Sequence, residues 1–299
     1  MDASEDALQK EIARLEPRLL KEPDDLSVIS SLSTLYTKCD KKTKALTLLE
    51  TCFAIAHDKG SSVTADEAFA VGEAGLLYWK HVKYQRKDKE EMRINFSQER
   101  AQILKALDEL LTSAVALKSP TRGQQLAMMA SYVKESQGLY QDALALLSDI
   151  ITAPEHDVDL MFVIFKAAAL LSHIGSTAQS IEYIEFLVDE PPEKHGYSKV
   201  HIIAFMITAY EKAGQHYEYI VEKTYEELLE AYSAELVAGK KPLSNQKKIE
   251  SILAKKSISK ARSAIHTYRL ITSSRPTTRP TNQLTSQSAR FGRCFHYRP

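Results

Sequence analysis

Gly138, Gly175 and Gly214 each separate two apolar stretches with helical spacing, at intervals of 37 and 39 residues. Pro120, Pro154, the pair Pro191-Pro192, and Pro242 fall between the units so marked. Glycine adopts the left-handed conformation that closes a helix, and proline cannot continue one. Each unit therefore reads helix, turn, helix, stop. A period within about 20 to 50 residues restricts the chain to an array of supersecondary units that bury their faces on one another. No segment alternates polar and apolar residues between turn signals, so no sheet is expected.

The register inside a unit is clearest in the first. After Glu22-Pro23-Asp24-Asp25, one helix carries Ile29, Leu32, Ser33 and Tyr36, and a second carries Ala45, Leu49 and Cys52. Asp40 stands where later units have glycine, and aspartate also tolerates a left-handed turn. The same spacing recurs at Val71, Ala74, Gly75 and Tyr78. It returns at Ala127, Ala130, Ser131, Tyr140, Ala143 and Leu147, and again at Ile164, Ala167, Ala168, Leu171, Ser180, Ile184 and Leu187. The last unit has Ile203, Met206, Ile207, Tyr210 and Tyr219, with a second helix running to about Ala238. Small residues let the two helices of a hairpin approach, while large ones fill the space between hairpins.

This register resembles the tetratricopeptide repeat over about residues 22–240. The resemblance implies an all-α fold, a right-handed α-α superhelix of about five helical hairpins. It also implies that the chain holds other proteins rather than performing chemistry. Residues 1–21 form an amphipathic capping helix (Leu8, Ile12, Leu15, Leu19), and 22–243 form the repeat array. A charged insertion lies near 80–96, read as a loop or as lengthened helices. Residues 244–271 give further helices, and 272–299 a disordered tail of Ser, Thr, Pro and Arg.

Charge is segregated along the chain. The first 250 residues hold all 39 acids against 29 of the 39 bases, a formal charge of −10. The last 49 hold ten bases and no acid, among them Lys255, Lys256, Lys260, Arg262, Arg269, Arg275 and Arg279. Such a region serves nucleic acid, anionic lipid or an acidic polymer such as a microtubule. Its loose spacing fits a solvated tail better than a compact nucleic-acid arm. No apolar run reaches the roughly 20 residues that cross a bilayer. The acidic amino terminus is neither a secretory signal nor a transit peptide. With Cys39, Cys52 and Cys294 too few for a disulfide framework, a cytoplasmic setting is expected, with nuclear and ciliary ones open.

Motifs for catalysis are missing. Gly239-Lys240-Lys241 lacks the other residues of a phosphate loop, and Gly175-Ser176-Thr177 those of a nucleophile elbow. The nine histidines form no helical pair, so neither zinc nor any cofactor is expected.

The resemblance places the first helix of each unit on the concave side of the superhelix. That face carries Phe69, Leu76 and Trp79, then Met128 and Tyr132, then Phe162, Phe165 and His173, then His201. Aromatic and Met side chains bury much area at low entropic cost, which suits an amphipathic peptide or helix of a partner protein. The same residues would serve equally as core if neighbouring units cover them. Repeats of this family that grip the acidic tails of heat-shock chaperones need basic residues here. The matching places hold Ser30, Thr34, Met129 and Phe162, with only Lys166 basic, which argues against that partner.

Overall fold

The computed structural model describes residues 3–84, 90–214, 218–237 and 249–254, with the backbone alone at 3–4, 83–84, 90–96, 218–219 and 236–237. The described residues are helical throughout, joined by short turns, and contain no strand. From Ala3 to Val237 they form α1 (Ala3–Lys21), α2 (Leu26–Lys38), α3 (Lys42–Lys59), α4 (Ala65–Tyr84), α5 (Glu90–Ala116), α6 (Gly123–Gln137), α7 (Tyr140–Ile151), α8 (Leu160–His173), α9 (Thr177–Leu187), α10 (Lys199–Ala213) and α11 (Glu218–Val237). From α2 onward they pair as five hairpins, α2–α3 through α10–α11, and α1 packs on α2. The chain divides into Met1–Ile249 and Glu250–Pro299, and within the second unit residues 250–254 are helical. The rest of the expected helices at 244–271 and the tail at 272–299 lie outside the described residues. The basic positions from Lys255 to Arg279 lie there too.

Helix ends fall where side chains satisfy the free backbone groups. Asp25 caps α2 by accepting from the Ser27 and Val28 amides, and Asp159 accepts from the Phe162 amide at α8. At α4, Thr64 Oγ1 accepts from Glu67 N at 3.2 Å, and the Glu67 carboxylate accepts from Thr64 N at 2.8 Å, a reciprocal capping box. Asp40 turns the first hairpin at φ +56°, in the region that Gly138 and Gly175 use at the equivalent turns. Its carboxylate also pairs with His81 on α4 at 2.9 Å. That bond and the nearby Lys42 hold the Asp40 carboxyl below its usual range. The charged stretch at 80–96 is mostly helix, since α4 runs through Tyr84 and α5 starts at Glu90.

Close approach within a hairpin is fixed by small residues. Ser33 Oγ donates to the Ala45 carbonyl at 2.9 Å, and Ser180 Oγ to the Ala168 carbonyl at 2.8 Å. Both serines are fully buried, so their bonds bridge α2 to α3 and α8 to α9 at the helix crossings. Around them lie Leu26, Ile29, Leu32, Leu49 and Cys52, then Ala143 and Leu147, then Ile184 and Leu187. Tyrosines at one register of the first helices tie each helix to a neighbour. Tyr36 donates to Glu16 on α1, Tyr78 to Glu99 on α5 and Tyr210 to Glu185 on α9. Burial, then the bond to Glu16, pushes the Tyr36 phenol up to about 12, so it stays a donor.

Stacking of the hairpins changes along the array. In the first half, first helices lie on one another, α2 along α4 and α4 along α6. From α5 onward the joint passes chiefly through second helices, α5 against α6, α7 against α8 and α9 against α10. Gly75 lets α4 meet α5, because a Cβ there would stand 2.7 Å from Leu107 Cδ2; Gly72 likewise faces Met129 of α6. Leu107 is fully buried and has nowhere to retreat. Gly75→Val is expected to cost about 1–3 kcal/mol of unfolding free energy, read as a lower midpoint in urea denaturation.

Candidate functional site

The first-helix face resolves into separate patches. Trp79 (1% exposed) and Leu76 (8%) belong to the buried core rather than to an open groove. The Trp79 ring meets Tyr132 of α6 edge-on, with centroids 5.9 Å apart, and the Arg100 guanidinium of α5 lies 5.1 Å from it. Long helices at this hairpin supply the covering groups, and the expectation of an open Trp is corrected on that ground. Tyr132 is half-buried, with Lys80 of α4 at 4.8 Å and Lys166 of α8 at 5.6 Å from its ring centre. Lys166 also pairs with Glu135, so the one basic residue at the clamp positions is already engaged. This row joins three successive first helices by cation–π and ionic contacts.

A second patch surrounds α8. Phe162 stacks on His195 at 4.0 Å, and Phe165 meets Tyr197 at 4.4 Å and Phe205 of α10 at 5.5 Å. His195 and Tyr197 come from the link between α9 and α10, which folds back over the α8 face. Sequence reasoning took Pro191-Pro192 only as a stop and missed His195, Tyr197 and Phe205. The His195-Gly196-Tyr197 run was the available signal. His201 is 7% exposed, and it caps α10 rather than facing solvent. Its Nδ1 accepts from Ser198 N at 3.2 Å. Burial lowers the His201 pKa, partly opposed by Glu235 of α11. Among the described residues, His201 Nε2 and Glu235 Oε2 are both buried with no hydrogen-bond partner.

The remaining expected positions stand apart. Phe69 lies under the Arg122 guanidinium at 4.3 Å, which Asp66 fixes with a 2.8 Å bond. Met128 is half-buried against the α6–α8 core. His173 is exposed and stacks on Tyr140 of α7 at 4.9 Å, away from the α8 rings. The structure thus joins Trp79 with Tyr132, and Phe162 with Phe165 and His201, but forms no continuous stripe.

Open concavities lie instead among the second helices. One hollow of about 550 Å³ is lined by Phe53, Ala56, Val63, Ala106, Leu110 and Leu117, among others. Another of about 490 Å³ is lined by Leu46, Glu50, Phe53, Glu99, Ile103 and Ala106, among others. They share Phe53 and Ala106, and make one groove between α3 and α5. A third of about 500 Å³ lies between α1 and α3, beside the exposed Leu20.

The described residues contain no cluster of three or more His, Cys, Asp or Glu able to hold a metal ion. Burial pushes the Cys52 thiol up to about 12, which leaves it unreactive. Among the described residues no helix is long and apolar enough to cross a membrane.

No family model matches the sequence, and no curated protein matches it. Among solved structures, that of Naa15/Naa10 bound to HypK-THB matches with a TM-score of 0.32 and 14% identity. The match covers 88% of this chain and 42% of that one, so this chain spans less than half of its length. A likeness this distant carries no inference about what the chain binds.

The His201 environment has a consequence for stability. A histidine whose folded pKa lies below its unfolded value stabilises the fold above that value and loses the contribution as pH falls. Stability should therefore drop as pH falls below about 6.5. His201→Gln is expected to flatten that acid limb in urea titrations at successive pH values.

Proposed function

We propose that the chain is a non-enzymatic interaction scaffold, a tetratricopeptide-like right-handed superhelix whose first-helix face takes a peptide or helix of a partner protein. The observation that carries this reading is a set of half-exposed rings held in place on successive hairpins. Tyr132 on α6 and Phe162 and Phe165 on α8 are each partly open to solvent, and each is fixed by neighbouring rings or cations. Rigid rings of this kind lose little entropy on binding and bury large areas. Trp79 contributes from beneath, by supporting Tyr132 rather than touching the partner.

The reading separates two classes of substitution. Tyr132→Ala and Phe162→Ala are expected to weaken a partner complex by about tenfold or more, as anchor residues do, while lowering the denaturation midpoint less than a core truncation does. Trp79→Ala should instead lower that midpoint, by about 3–5 kcal/mol in free energy. Complex formation is measured by lysine-directed crosslinking from Lys80 and Lys166, which flank position 132, in the full chain. Undiminished crosslinking and co-purification in the Tyr132→Ala, Phe162→Ala double variant would refute the reading.

A further inference from the structure

We propose that the groove between α3 and α5 is a second docking site, on other helices than the first-helix face, and that it takes an amphipathic helix with Lys or Arg flanking its apolar stripe. Its shape comes first. Leu46 and Glu50 of α3 face Gln98–Ile103 of α5 in one hollow, while Ala56 and His57 face Glu109–Leu117 in the other. The two helices therefore run in the same direction with an opening along their length. From Gln98 to Leu117 the α5 wall extends about 28 Å at 1.5 Å per residue, some five helical turns. Phe53 and Ala106 stand where the hollows meet, a large and a small residue that leave a notch at mid-groove.

The lining selects the occupant. Leu46, Phe53, Ala56, Ile103, Leu110 and Leu117 make the floor apolar. Glu50, Glu99 and Glu109 stand among them, and no Lys or Arg is among the described residues that line either hollow. Glu99 already accepts from Tyr78, and Glu109 has Lys105 at 3.9 Å on the exposed side of α5. A basic partner is drawn to such a surface and an acidic one repelled. Both walls are helices whose backbone groups bond internally, so an extended peptide would find no main-chain ladder. A helix brings its own hydrogen bonds and lays an i, i+3, i+4, i+7 ridge into the space between α3 and α5.

The probe is a labelled, helix-stapled peptide of about five turns with Leu on one stripe and Lys on both flanks, followed by fluorescence anisotropy with the full chain. The same peptide with Glu for Lys is the control. Saturable binding of the Lys peptide, at least tenfold tighter than that of the Glu peptide, is expected. Ala106→Trp fills the notch and should weaken it tenfold or more. Glu50→Lys with Glu109→Lys, both on exposed positions that leave the fold intact, should weaken it about two- to fivefold for each pair lost. Tyr132→Ala, Phe162→Ala should leave this affinity unchanged, which keeps the outcome independent of the first-helix reading. Equal binding of both peptides, or an affinity that neither groove variant alters, overturns the proposal. So does a concentration-dependent dimer in light scattering that the groove variants abolish, since the occupant would then be a second copy.

Discussion

A hairpin of two amphipathic helices has apolar surface on both flanks, so none of the five can bury its own core alone. Everything else in the array follows from how closely one helix may approach the next. At the hairpin crossings that distance is set by Ser33 and Ser180, whose hydroxyls bond to a carbonyl of the facing helix and leave no room for a larger side chain. At the fourth helix it is set by Gly72 and Gly75, which admit Met129 and Leu107 against the backbone. Tyrosines at a common register then lock the closely packed helices with bonds to glutamate, worth about 1.5–3 kcal/mol each where the acceptor is charged.

Close packing also decides which residues are left for partners. Where first helices lie on one another, their inward aromatics become core, and Trp79 is the clearest case. Tyr132 escapes because its ring lies at the seam of three hairpins, edged by Trp79 on one side and flanked by Lys80 and Lys166. Around the eighth helix the seam is wider, and the link carrying His195 and Tyr197 fills part of it. The same ring chemistry therefore yields buried support at one hairpin and a half-open platform at the next.

Much of the architecture was legible in the residues. The left-handed turn at Asp40, the helix that ends before Pro23 and the long helix to Val237 all lie where local spacing places them. These are features of single helices and turns, whose signals reside in a few adjacent residues. The tertiary environment of each face was not legible, because it depends on helix length elsewhere. Arg100 covers Trp79 only because the fifth helix has 27 residues and passes beside the fourth. The repeat resemblance placed His201 on the concave face, yet it serves the cap of its own helix through Ser198, a local role that the repeat register does not encode.

The groove between the third and fifth helices shows the same logic in reverse. The third and fifth helices leave an opening beside Phe53 and Ala106, whereas the second and fourth pack along one another. These two hairpins thus meet through their first helices on one side and part between their second helices on the other. Leucines at 103–111 of the fifth helix are divided between the two sides, Leu107 and Leu111 inward and Leu110 toward the opening. An apolar stripe wider than one neighbouring helix can cover thus arises directly from the stacking geometry. Its acidic margin, with Glu50 and Glu109 at solvent-exposed positions, then keeps it from closing on a like-charged surface and leaves it open to a basic one.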